Sequence, residues 1–272
     1  MGERKRIWIG ITAALFAAGC DSEQEPQRTD GAAPVEEPAA SSIAEGGEGE
    51  GEGEGGSGSA DLAKNDVAFL ERLGLIRGHL HVGHALYQEG QVEMAETHMK
   101  HPRDELYAGL VPAIRARGAN PFDAALTELA EAVESDAGNE RVETAWQAVD
   151  DAIDTIASST DASVRQRLVA VANMVRTAAD EYAIGVVDGE IDNAHEYQDA
   201  WGFVQIAQAR LDALSPASEA ERKIGAEAAE ALEGIDRLWP GLAPEDPIEG
   251  QASTLYGAAA RIELAALSLD KA

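Results

Sequence analysis

The stretch LAKNDVAFLERLGLIRGHLHVGHALYQ, residues 62–88, decides the fold. Phe69, Leu73, Ile76 and Leu80 recur at three- and four-residue spacing, which lines apolar side chains along one face of a helix. Glu89-Gly90 breaks this pattern, and a second helix starts near Gln91. The same spacing runs on to the C-terminus, rich in Ala and Leu and without alternating β-branched runs. It predicts a helical segment opened by Pro102, kinked at Pro112 and closed at Arg117-Gly118. Further helices fit 121–135, 139–158, 161–187, 191–214, 217–238 and 249–270. The punctuation is Ser158 to Asp161, Asp188-Gly189, Ser215-Pro216 and Trp239 through Pro247. The expected class is all-α: an up-and-down bundle of about eight helices, or two packed bundles.

Upstream of this domain, residues 21–60 hold almost nothing that could form a core. They end in a run of Glu and Gly from Glu45 to Ser59, a composition that predicts a disordered linker. As a flexible coil, forty residues reach roughly 35 Å end to end. Residues 1–19 open with a basic segment at Arg4-Lys5-Arg6 and continue with an apolar run too short to span a bilayer. The run ends at Ala17-Ala18-Gly19-Cys20, which resembles the lipobox of bacterial lipoproteins. That resemblance implies a cleaved signal peptide over 1–19 and palmitate-type acyl chains on Cys20. It also implies an anchor in the cell envelope of a bacterium, with the domain facing the periplasm. Asp21 resembles the signal that keeps such proteins in the inner membrane. Several acyl chains, at roughly 0.8 kcal/mol per buried methylene, give a stable anchor. Cys20 is the chain's sole cysteine, so no internal disulfide can form and no thiolate is left for a metal.

The whole chain carries 50 acidic and 21 basic residues. Residues 1–60 hold 12 and 4 of these, so 38 and 17 fall in residues 61–272, a net −21. Such a surface argues against nucleic acid and anionic lipid as direct partners and suits cations or a basic envelope protein.

Five of the six histidines lie within 79–101. His81/His84 and His98/His101 share His-x-x-His spacing, which puts both rings of each pair on one helical face. If the chain turns back at Gly90, His84 lies level with His98 and His81 with His101. The stripe Arg77–His81–His84–Gln88 would then face Met94–His98–His101–Glu105. Four imidazoles with Glu105 as an oxygen donor would suit Zn, Cu or Fe. His79 stands on another face and is expected to be a surface or packing residue. A second, weaker cluster joins His195, Glu196 and Asp199 after the Asp188-Gly189 turn to Glu181 on the preceding helix.

An exported helical domain with a His-x-x-His hairpin is similar in plan to the imelysin-like periplasmic proteins linked to iron uptake. Their Gly-x-His-x-x-Glu motif is not matched by Gly78 to His84, where His84 stands in place of the Glu. No phosphate loop, nucleophile elbow or Cys-x-x-Cys-His haem site is present, and no catalytic residue set is visible, so an enzyme is not expected. The expected function is transition-metal binding for uptake, storage or delivery. The alternatives are a non-catalytic interaction scaffold and a haem protein with a His pair.

Overall fold

The computed structural model describes residues 61–244 and 248–269, apart from the side chains of His101, Asp104 and Glu105. The expected signal segment, Cys20 and the linker lie outside the described residues.

Helix α1, Asp66–Gln88, begins where the Asn65 side chain accepts a hydrogen bond from the Ala68 amide. It ends at Gly90, whose φ of 79° lets Gln91 N–H reach back to the Leu86 carbonyl. Phe69, Leu73, Ile76 and Leu80 are buried as the spacing predicts. Helix α2, Val92–His101, runs into a π-helical turn over Pro102–Tyr107 and then into α3, Ala108–Ala116. The segment that Pro102 opens is therefore one wide turn, not a fresh α-helix. The wider turn takes up a residue that cannot donate an N–H. Helices α4, Asp123–Glu134, and α5, Asn139–Ser158, complete the N-terminal half.

Four helices follow: α6, Val164–Gly185; α7, Ala194–Asp212; α8, Glu219–Glu230; and α9, Ala252–Ser268. Ser163 with Gln166 and Ser218 with Glu221 form capping boxes at α6 and α8, each satisfying two free amides. The helix expected over 161–187 stops two residues early. Val186–Val187 (β1) pairs antiparallel with Glu190–Ile191 (β2) across Asp188 and Gly189, at φ 53° and 82°. Asp-Gly is the dipeptide such a turn demands, because both central residues need positive φ. The helix expected over 217–238 likewise splits: α8 ends at Glu230, and a 3₁₀ turn over Ile235–Leu238 follows Gly234.

Helices α6 to α9 form a four-helix bundle in which α6 packs on both α7 and α9. Helix α1 lies against α6 and α7, flanked by α2 and α5, and α4 packs on those two. The all-α expectation is met among the described residues, none of whose helices is long and apolar enough to cross a membrane. Helices α1 and α7 approach each other closely. A Cβ on Gly202 would stand 2.5 Å from the Gly78 carbonyl oxygen, so only glycine lets these backbones meet. This crossing sets His79 beside Asp199.

Candidate metal centre

Helix α7 supplies the floor of the site. The Asn193 side chain accepts from the amides of His195 and Glu196 and so fixes where the helix starts. His195 and Asp199 then share a face at a spacing of four residues. Asp199 is fully buried under α1 and α2, and its carboxylate gathers three imidazoles. Oδ1 lies 2.7 Å from His79 Nδ1 and 2.9 Å from His98 Nδ1, and Oδ2 lies 3.0 Å from His195 Nδ1. His79 and His98 are also fully buried, and the His98 and His195 rings stack in parallel at 4.2 Å.

Two donor sets meet here. His79, His98 and Asp199 each present a ligand atom, all within 4.8 Å of one another; His195, Glu196 and Asp199 do the same. Asp199 is common to both.

The proton positions can be argued from Gln198. Its Nε2 donates to the Leu242 carbonyl at 2.9 Å and lies 3.5 Å from Met94 Sδ, which orients the amide. Its Oε1 must then accept from His98 Nε2–H, 2.8 Å away. A neutral His98 consequently turns the lone pair of Nδ1 toward Asp199 Oδ1. Two electron-rich atoms at 2.9 Å repel unless a positive centre serves both, either a proton or a metal ion.

The electrostatics agree. Burial works against ionised Asp199, but the charges of His79 and His98 and the His195 hydrogen bond outweigh it and hold the carboxyl well below its ordinary range. Burial likewise opposes a charge on His195, yet the bond to Asp199 and its charge lift His195 above its usual value. The pocket is built to keep one carboxylate ionised among imidazoles.

The structure does not bring the four paired histidines together. His81 stacks on Trp201 at 5.1 Å and sits 5.9 Å from Trp146. His84 stacks on Trp146 and meets Glu143 at 2.9 Å, and Gln88 reaches the same carboxylate at 3.4 Å. Arg77 binds Asp150 and Asp154 of α5. Arg77, His81, His84 and Gln88 do form one stripe, but it faces α5 and Trp201 of α7, while α2 packs on the face bearing Gly83. A Cβ there would press on Met99 and the Ala95 carbonyl. Of the predicted set, only His98 reaches the cluster among the described side chains; those of His101 and Glu105 lie outside them. His195, Glu196 and Asp199 do come together, and Glu181 is buried on α6. His79, expected to be a surface or packing residue, is fully buried on Asp199. The available signal was the glycine next to it: Gly78 and Gly202 mark the crossing, and Asp199 lies one turn before Gly202.

Residues 157–266 match the iron permease-associated 4-helix bundle domain family. The match spans α6 to α9, and so contributes His195, Gln198 and Asp199, while His79 and His98 arrive from helices before it. No curated protein and no solved structure matches the chain.

Proposed function

We propose that this protein binds an iron ion through His79, His98 and Asp199 and carries it in iron uptake at the bacterial cell envelope, tethered by lipid on Cys20. The observation that carries this reading is the convergence of His79 Nδ1 and His98 Nδ1 on one buried oxygen of Asp199. Two imidazoles and one carboxylate form the donor set that suits Fe(II) with further positions open. Their separations of 2.7 and 2.9 Å are close to the roughly 3 Å between neighbouring donors around an ion held at about 2.1 Å. His195 and Glu196 stand ready to take up or release the ion beside them, and Gln198 orients His98 from behind. The likeness to an iron permease-associated domain supports iron over zinc or copper as the cargo. The strongly acidic surface would concentrate cations near the site, and the linker would let the domain reach a membrane partner. The protein acts as a carrier, not an enzyme.

The test is metal content of the full chain after anaerobic loading with Fe(II), alongside Zn, Cu and Ni. One equivalent of iron is expected in the parent protein and in the double variant His81→Ala/His84→Ala. Affinity should fall by at least ~100-fold in His79→Ala/His98→Ala, more than loss of an outer-shell partner would cause. Equal iron content in the two double variants, or none in the parent, overturns the reading. Incorporation of labelled palmitate, lost in Cys20→Ala, tests the anchor separately.

A further inference from the structure

A second polar cluster lies away from the metal centre and shares no residue with it. Arg77, Arg167 and Arg210 converge on a cavity of about 590 Å³ between α1, α5, α6 and α7. Three guanidiniums around one cavity are unexpected in a domain with 38 acidic and 17 basic residues. Arg77 is fully used, held by both oxygens of Asp150 and by Asp154 at 2.6–2.7 Å.

The other two are not neutralised. Arg167 donates from Nε and Nη2 to the carbonyls of Ala162 and Thr160 and leaves Nη1 uncommitted. Arg210 donates from Nη1 to the Leu70 carbonyl at 2.6 Å, while its Nη2 is shut away from water with no hydrogen-bond partner. Neither guanidinium has an ion-pair partner among the described residues, although acids abound nearby. A buried charged donor lacking an acceptor, such as Arg210 Nη2, is costly, and a ligand in the cavity can supply the acceptor. Burial, reinforced by the charges of Arg77 and Arg167, pulls Arg210 down to about 9, as expected of a cation without its counter-charge.

The remaining walls are largely apolar, formed by Leu70, Ile153, Val171 and Leu214 among others. We infer that this cavity binds a small organic carboxylate, whose two oxygens bridge Arg167 and Arg210 while its apolar body lies against Leu70, Ile153 and Val171. A carboxylate offers the two acceptors that the free donors require. A phosphate wants more donors than remain, and it would carry a second charge toward Asp154. The volume falls in the range of small-molecule pockets.

Octanoate titrated into the full chain, followed by calorimetry and thermal unfolding, tests this. One equivalent should bind and raise the melting temperature, because a ligand of the folded state stabilises it by mass action. 1-Octanol, with the tail but no charge, and inorganic phosphate should each bind at least ~10-fold more weakly. Arg167→Met and Arg210→Met should each weaken octanoate by roughly tenfold or more, the worth of a charge-assisted hydrogen bond. Octanoate binding is read on the metal-free parent protein and again after iron loading, and should be the same in both, so its outcome is independent of the iron reading. If Arg210→Met does not fold, Arg167→Met decides, with Arg210→Lys as the charge-preserving control. Absence of saturable octanoate binding, or equal affinity in the arginine variants, overturns the inference. Phosphate or octanol binding as tightly as octanoate would overturn the carboxylate class.

Discussion

His79 and His81 are two residues apart on one helix, and they meet opposite chemistry. His79 is sealed against an ionised carboxylate from α7, with His98 arriving from α2 on the same oxygen. His81 lies on an indole ring of α7, with a second from α5 nearby. Burial and the neighbouring His84 and Arg77 charges push it down to about 4. One face of α1 is arranged to gather positive charge around an acid; the next is arranged to keep an imidazole neutral. The difference comes from what packs on each face, not from α1 itself. Whether a histidine joins an acid cluster or packs on aromatic rings depends on the partner element, and spacing along one helix cannot distinguish the two.

The sharpest way to break this comparison is to remove the acid from each face. Asp199→Ala strands three imidazoles in a buried site and should cost about 3–5 kcal/mol of stability, as deleting one side of a buried ion pair does. Glu143→Ala removes the carboxylate on the other face, where its side chain is 41% exposed, and should cost less than about 1 kcal/mol. Urea unfolding of both variants measures the contrast. Similar losses would mean that the Asp199 cluster is ordinary surface-grade electrostatics.

The fold was largely legible because it rests on local rules. Apolar spacing located the helices, and Asp188-Gly189 marked the turn, although the two-residue hairpin was too short to leave a strand pattern. The site was legible only in halves. His195, Glu196 and Asp199 are neighbours in sequence, so their meeting could be read from helical spacing. His98 was found for a different reason, as part of a pair. The place of His79 is not legible, because its partner lies 120 residues away and helix-to-helix facing is a tertiary choice. The two-fold logic of a hairpin put α2 on the wrong face of α1. The contact through Gly83, which a sequence pattern does not rank, decides that face.

Acid should separate the two faces next, by an effect on the order of 3 kcal/mol. His81 has a folded value near 4 against 6.5 when free. Between those limits the unfolded chain holds more protons, so stability falls as pH drops from 6.5 to 4 and levels off below. His195 has the opposite sign. Its raised value contributes stability below 6.5, lost as pH rises through the folded value above that. Asp199, held well below 3.8, keeps its contribution throughout this window and loses it only at lower pH. Denaturation midpoints of the parent and His81→Phe across pH 4–7 should show the acid limb flattened in the variant. An unchanged limb would assign the acid sensitivity elsewhere.

A smaller effect is expected from the crossing that makes the faces distinct. Gly202→Ala places a methyl 2.5 Å from the Gly78 carbonyl and must push α1 from α7. Overpacking of this kind costs typically 1–3 kcal/mol. It should also weaken iron binding, since His79 and Asp199 are carried apart, while leaving the stacked pair His84 and Trp146 in place. Iron affinity falling in step with stability would support the crossing as the element that assembles the site; lost stability with full affinity would not.

The last test touches neither a ligand nor a charge. Gln198 is held by the Leu242 carbonyl and in turn holds His98 through Nε2–H, which leaves Nδ1 free to face Asp199. Gln198→Met keeps the side chain's length but removes both the acceptor for His98 and the donor for Leu242. His98 could then take the other tautomer, with its proton on Nδ1 toward the carboxylate, where a metal ion would have to displace it. Partners of this outer kind commonly contribute 10–100-fold to metal affinity, and the lower end is expected because His79 and Asp199 stay in position. The loss should be nearly the same at every pH, since the proton that leaves Nδ1 moves to Nε2 of the same ring and none is released. A purely structural role for Gln198 would lower stability while leaving the His98 proton on Nε2, so the imidazole nitrogen shifts of the metal-free protein, not the affinity alone, distinguish an orienting residue from a packing one.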